Sequence, residues 1–318
     1  MLTNKIYQGD ALEVLKTFPD ECIDMCITSP PYWGLRDYGV EGQLGLEETP
    51  EMFINNLCDI FDEVKRVLRP HGSCWVNLGD SYAGSGTMGY VEEQPKSTKG
   101  LAYGKAGTPK GIKTKSLIMI PSRFAIEMIN RGWILRNEII WHKPTCMPSS
   151  AIDRYTVDFE KLFFFTKKNK YYFKQQLEPL KPLNRWGGPK IKVPKDTKVD
   201  VNNSPYAVSY RERDIQPNPD GRNKRTVWSI NPASFKDAHF AVYPPKLIES
   251  PIDAGCPDDG VVLDPFFGSG TTAEVALTQD KNWVGIELNS EYIDIAEKRL
   301  KNPNIEYNTR IKGKKFWG

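Results

Sequence analysis

The chain has 318 residues, with 43 Lys and Arg against 40 Asp and Glu, a net charge of +3, and 39% hydrophobic residues. That length suits one α/β domain with an insertion, and the apolar share supports a buried core. No run of about 18 apolar residues occurs and Met1–Lys5 lacks the apolar segment of a signal peptide, so a cytoplasmic location is expected.

Six cysteines (Cys22, Cys26, Cys58, Cys74, Cys146 and Cys256) form no Cys-x-x-Cys pair and sit mostly in apolar runs, as reduced core thiols do. With only His71, His142 and His239 beside them, no metal site is expected.

Ile6–Asp10 reads as a strand ending in a turn, and Ala11–Phe18 as an amphipathic helix that Asp10 can cap. A short apolar run, Ile23–Ile27, then delivers Thr28-Ser29-Pro30-Pro31-Tyr32-Trp33-Gly34 to its carboxyl end. Each proline fixes φ and lacks an N–H, so the carbonyls of Ser29 and Pro30 fall outside a regular ladder. Together with the Ser29 hydroxyl they can accept hydrogens from a planar amino group, while Tyr32 offers a face to stack on. A proline-stiffened turn with locally packed aromatics is the alternative for this stretch alone.

Residues 34–39 are polar and glycine-rich, as in a mobile loop over a pocket. Thr49 and Pro50 open a helix whose Phe53, Leu57, Ile60, Phe61, Val64 and Leu68 recur at helical spacing, until Arg69-Pro70-His71-Gly72 stops it. The strand Ser73–Leu78 follows and ends at Asp80, a position that faces the ligand crevice in α/β sheets. Residues 84–116 carry Lys96, Lys99, Lys105, Lys110, Lys113 and Lys115 with few large apolar residues. Such a stretch is either a solvated loop or a mobile basic loop that touches DNA phosphates.

A helix from Pro121 to Gly132, a strand from Trp133 to His142 and an apolar strand Leu162–Phe165 come next. Residues 171–226 are polar, proline-rich and basic, with Arg185, Arg211, Arg213, Arg222 and Arg225 interleaved with Tyr171, Tyr172, Trp186, Tyr206 and Tyr210. That mixture fits a DNA-contacting segment better than a core.

The chain turns globular again at Val227–Ile230, and Val261–Asp264 reads as a buried strand. It leads through Pro265-Phe266-Phe267-Gly268-Ser269-Gly270 into a helix from Thr271 to Gln279. Glycines at such a turn admit a ligand close to the backbone, and the helix start adds donors. The next strand, Trp283–Ile286, ends in Glu287, where a carboxylate commonly holds ribose hydroxyls. No Gly-Lys-Ser/Thr follows the glycines, which argues against a phosphate loop, and the missing third glycine argues against a dinucleotide site. A last helix runs from Glu291 to Leu300, capped near Asn289 or Ser290, before a basic tail.

With TSPPY and LDPFFGSGTT both in view, the sequence resembles the S-adenosylmethionine-dependent DNA amino-methyltransferases that modify cytosine N4 or adenine N6. The order, catalytic motif first and cofactor motif last, is similar to their β group. The resemblance implies an α/β, Rossmann-like methyltransferase fold: a mostly parallel twisted sheet with an antiparallel hairpin and helices on both faces. It implies one catalytic domain over residues 1–170 and 227–305 with a target-recognition insertion at 171–226. Ser29, Pro30, Pro31 and Tyr32 are then catalytic. The cofactor set it implies is Asp10, Thr28, Asp80, Tyr243, Pro244, Asp264, Pro265, Phe266, Gly268, Ser269, Gly270, Thr271 and Glu287, with S-adenosyl-L-methionine as the cofactor. Lys96, Lys105, Lys113, Arg185, Arg211, Arg213, Arg222 and Arg225 are the DNA-binding candidates on double-stranded DNA. A cognate restriction endonuclease and a homodimer are the further partners the resemblance admits. Serine at the first motif position resembles the cytosine-N4 enzymes, and adenine N6 is the alternative. A non-catalytic DNA-binding module, which would not need both motifs, and an RNA or protein methyltransferase are the further readings.

Overall fold

A computed structural model describes residues 1–34, 39, 40, 42–84, 111–179, 220–232 and 243–301. The strands are β1 (Lys5–Gln8), β2 (Ile23–Thr28), β3 (Leu68–Leu78), β4 (Ile134–His142), β5 (Phe159–Thr166), β6 (Leu177–Glu178), β7 (Arg222–Asn223), β8 (Val227–Ser229), β9 (Val261–Asp264) and β10 (Asn282–Glu287). The helices are α1 (Ala11–Lys16), α2 (Pro50–Val67), α3 (Ile120–Asn130), α4 (Pro245–Gly255), α5 (Thr271–Thr278) and α6 (Ser290–Leu300).

Eight strands form one sheet in the order β1-β10-β9-β2-β3-β5-β4-β8. Only β5 runs against its neighbours β3 and β4; the other pairings are parallel. Strand residues are buried on both faces, and alternation assigns each side chain to one of two cores. Cys26, Cys74, Val76, Leu78, Phe163, Phe165, Leu263 and Ile286 pack with α1, α2 and α3. Met25, Ile27, Trp75, Leu162, Phe164, Val262 and Trp283 pack with α4, α5 and α6. Four of the cysteines, Cys26, Cys58, Cys74 and Cys256, are buried thiols, and Cys22 and Cys146 are half-buried.

The helix boundaries follow local chemistry. The Thr49 hydroxyl accepts from the Met52 N–H at 3.2 Å and Pro50 occupies the first turn of α2, as expected of that sequence. Asn289 caps α6 in the same way. Arg69–Gly72 do not end in a free turn. They are looped out of the β2–β3 ladder, whose register passes from Ile23–Leu68 to Met25–Ser73. No described helix is long and apolar enough to cross a membrane.

The chain divides into two compact units, Met1–Lys174 with Thr226–Gly318 and Gln175–Arg225. In the second, β6 pairs antiparallel with β7. Tyr171 and Tyr172 fall in the first of these units and are half-buried. The Tyr171 ring meets Phe164 edge-on with centroids 5.7 Å apart, and the Tyr172 N–H donates to the His71 carbonyl at 2.9 Å. Continuous packing onto Phe164 carries the catalytic unit past the composition change.

Candidate active site

Where β9 adjoins β2, the sheet changes winding direction. From β2 the chain crosses through α2 to β3 on one side, and from β9 through α5 to β10 on the other. α2 packs in one core and α5 in the other. Open α/β sheets bind ligands at the carboxyl ends of strands beside such a switch point. Here those ends bring Thr28 and Asp264 together.

Asp264 is 1% exposed and every oxygen is engaged. Oδ1 accepts from the Thr28 hydroxyl at 2.6 Å and the Phe266 N–H at 3.1 Å; Oδ2 accepts from the Thr272 hydroxyl at 2.5 Å and the Tyr243 hydroxyl at 3.0 Å. Burial pushes its carboxyl above the ordinary value, against the pull of those hydrogen bonds. Burial, and next the charge of Asp264, push the Tyr243 phenol well up. This network ties the ends of β2 and β9, the start of α4 and the start of α5 into one block.

In front of it lies a cavity of about 190 Å³. It is lined by Asp10, Ser29, Pro30, Pro31, Tyr32, Tyr243, Asp264, Pro265, Phe266, Gly268, Ser269, Thr271 and Glu287 of the predicted set, joined by Gly9, Phe267, Asn289 and Tyr292 among others. Four predicted residues are not among its lining. Thr28 acts through Asp264, and Pro244 is buried at the start of α4. Gly270 precedes α5 at φ +83°, a left-handed conformation that favours glycine. Asp80 accepts the Ser81 and Ile120 N–H groups at 2.9 and 3.0 Å, so it caps the chain entering α3, where Met119 supplies no side-chain cap.

Glu287 accepts the Gly268 N–H at 2.7 Å with Oε2 and the Asn289 N–H at 2.9 Å with Oε1. Burial raises its pKa. A carboxylate oxygen has more than one acceptor direction, so both can still take a hydroxyl. Asp10 caps α1, its Oδ1 accepting from the Glu13 N–H at 3.0 Å, and still borders the cavity. Gly268 sits at φ +52° with open space where a Cβ would be, leaving room for a ligand against the backbone. Free carboxylate lone pairs, apolar walls from Pro265 and Phe266 and that glycine opening fit an adenosyl group with a sulfonium side chain.

At the other end stand the catalytic candidates. Trp33 turns into the core, its indole N–H donating to the Glu47 carbonyl at 3.0 Å. Tyr32 stays half-buried, with its ring against Gly79; a Cβ on Gly79 would lie 2.6 Å from the ring. Its hydroxyl donates to Glu160 Oε2 at 2.6 Å, and Glu160 Oε1 in turn pairs with Lys143. Asn77 Oδ1 lies 3.5 Å from the Ser29 hydroxyl and 3.4 Å from the Tyr32 hydroxyl, while its Nδ2 donates to the Lys161 carbonyl at 3.2 Å. Asn77, Gly79, Lys143 and Glu160 were not singled out in the sequence. The available signal was Asn77, a lone amide in the apolar strand Cys74-Trp75-Val76-Asn77-Leu78.

Among the DNA-binding candidates, Lys113 is exposed. Arg222 and Arg225 share the Glu178 carboxylate at 2.8 and 2.7 Å. Lys96, Lys105, Arg185, Arg211 and Arg213 lie outside the described residues.

A switch-point cavity with a proline-aromatic turn on one side and a glycine turn on the other defines a Rossmann-like methyltransferase. A family model described as DNA methylase, of the N6/N4 class, matches residues 23–298, and the chain belongs to that family of S-adenosylmethionine-dependent DNA amino-methyltransferases. It is 42% identical over 295 residues to the Type II methyltransferase M.Cfr9I of Citrobacter freundii, covering 93% of this chain and 87% of that protein. It is 38% identical to M.SmaI of Serratia marcescens, covering 93% and 90%. Among solved structures, the PvuII DNA methyltransferase (cytosine-N4-specific) superposes with a TM-score of 0.63 at 21% identity, covering 96% of this chain and 88% of that one. The Thermus thermophilus protein TTHA0409, solved with S-adenosyl-L-methionine, gives 0.57 at 23%, covering 93% and 92%.

Proposed function

We propose that the chain is a site-specific, Type II methyltransferase that moves a methyl group from S-adenosyl-L-methionine to the exocyclic N4 amine of cytosine in double-stranded DNA. The observation that carries the choice of base is Ser29: the first position of the motif lines the cavity with a neutral hydroxyl, not a carboxylate or amide. The curated relatives' Type II names support a role in restriction–modification beside a cognate endonuclease.

The bound cofactor supplies an electrophilic methyl group on a sulfonium. The amine of a nucleobase is a weak nucleophile, since its lone pair is delocalised into the ring. With the base flipped out of the duplex, Tyr32 stacks on its face, and Ser29 Oγ and the Pro30 carbonyl accept the two amine hydrogens. Those acceptors draw the nitrogen toward tetrahedral geometry and free its lone pair, and one of the two amine protons leaves to solvent after the nitrogen is methylated. Ser29 can accept only if its own proton points elsewhere, and Asn77 Oδ1 faces it for that purpose. The rest of the acceleration comes from holding nitrogen and methyl in line. Glu287 and Asp10 hold the adenosyl end of the cofactor. The insertion expected at 171–226 reads the target sequence, and Lys113 with the arginines of that stretch contacts the duplex.

The test is incubation with unmethylated genomic DNA and isotope-labelled S-adenosylmethionine, followed by digestion and mass spectrometry of the nucleosides. The expected product is N4-methylcytosine. N6-methyladenine would keep the mechanism and move the target base, showing that serine does not dictate it. Ser29→Ala is expected to abolish turnover while leaving cofactor affinity largely intact; near-normal turnover would remove Ser29 from the chemistry.

A further inference from the structure

Tyr32 is held by residues that neither the motif nor the cofactor cavity accounts for, Gly79 and Glu160 among them. Its ring lies on the backbone of Gly79 at the end of β3, and its hydroxyl is taken by Glu160 at the start of β5. We propose that Glu160, fixed by Lys143, is a positioning residue that locks the Tyr32 ring as a stacking platform. The proposal rests on the base-stacking role given to Tyr32 above.

Glu160 and Trp141 are directly opposite on β5 and β4, and Lys143 follows two residues after Trp141. The Lys143 ammonium lies 4.4 Å from the Trp141 ring centroid, and Trp141 is itself a core residue. The ion pair is 21% and 15% exposed, so solvent screens it only in part. Glu160 is thus anchored by a lysine that is anchored by the core, with one oxygen left for the phenol.

A stacking ring free to rotate about χ1 and χ2 would have to be ordered each time a base arrives. A ring already seated on Gly79 and tied at its hydroxyl meets the base in place. Tyr32 borders the cofactor cavity and Glu160 does not. Loss of Glu160 therefore strikes turnover and spares cofactor binding.

The experiment compares wild type, Glu160→Ala, Glu160→Gln, Tyr32→Phe and the double variant Tyr32→Phe/Glu160→Ala. It reads turnover with labelled cofactor on unmethylated genomic DNA and cofactor affinity by calorimetry. Glu160→Ala is expected to lower kcat about tenfold or more, the scale of one charge-assisted hydrogen bond, with cofactor Kd within about twofold. Glu160→Gln keeps an acceptor oxygen and recovers most of that loss. In the Tyr32→Phe background, which lacks the hydroxyl, Glu160→Ala adds less than about twofold. The inference is overturned by unchanged kcat in Glu160→Ala, by the full loss persisting in the Tyr32→Phe background, by Glu160→Gln failing to recover turnover, or by a parallel loss of cofactor binding. Failure of the underlying reading shows differently: the wild type itself would then label no nucleoside.

Discussion

Asp264 accepts from four donors in a place with almost no water, and the consequence is a pH dependence of unusual sign. Its carboxyl is raised above the ordinary 3.8 because burial outweighs the hydrogen bonds. The native state therefore binds this proton more tightly than the unfolded chain does. The resulting stabilisation is fully present below the unfolded value and is lost as pH rises through the folded one. Asp264→Asn has no such titration. The stability of wild type relative to Asp264→Asn in urea is expected to fall from about pH 4 upward and then level off. A difference independent of pH would mean that the carboxyl titrates as in the unfolded chain. At this scale the sequence was legible where chemistry is written in adjacent letters: Ser29, Tyr32, Asp264 and Glu287 all reach the cavity. Asp80 also caps the chain entering α3, a role that its strand-end position does not show. Glu160 was missed because its partner is 128 positions away.

The motif after β9 works as an element because β10 yields to it. Gly285 lies beneath the Phe267 ring, where a Cβ would stand 2.4 Å from the nearest ring carbon, and that ring stacks on Trp283 with centroids 5.2 Å apart. Phe267 also borders the cavity, and its N–H donates to the Ile286 carbonyl at 2.9 Å. Gly285→Ala must push the ring away, and the glycine turn moves with it. The expected cost is about 1–3 kcal/mol of stability, measured by urea unfolding, together with weaker cofactor binding by calorimetry. Normal affinity in the destabilised variant would show that the turn holds its shape without the ring. Burial on both faces made the central strands readable, since β2, β9 and β10 are short, mostly apolar runs bounded by turn residues. The pairing order was not readable from the same letters. Neighbours such as β2 and β9 lie far apart in the chain, and no local pattern names a partner at that distance.

For the molecule as a whole, charge is distributed unevenly in a way that the net value hides. Residues 175–225 carry eleven Lys and Arg against six Asp and Glu, a net +5 within a chain of net +3, so the remainder is mildly negative. A duplex held by phosphate contacts would find most of its countercharge in that segment. Two of its arginines, Arg222 and Arg225, share the Glu178 carboxylate, and Arg211 and Arg213 serve as probes of the rest of the segment. If each neutralises one phosphate, Arg211→Gln with Arg213→Gln makes the slope of log K against log salt shallower by about 1.8, at about 0.9 per phosphate. Anisotropy titrations on duplexes of different sequence across a salt series measure that slope. A uniform loss of affinity with the shallower slope assigns both residues to the backbone. A loss confined to some sequences with little change in slope assigns them instead to base edges, where a bidentate arginine discriminates by about 1–3 kcal/mol. Unchanged affinity and slope would remove Arg211 and Arg213 from the DNA interface.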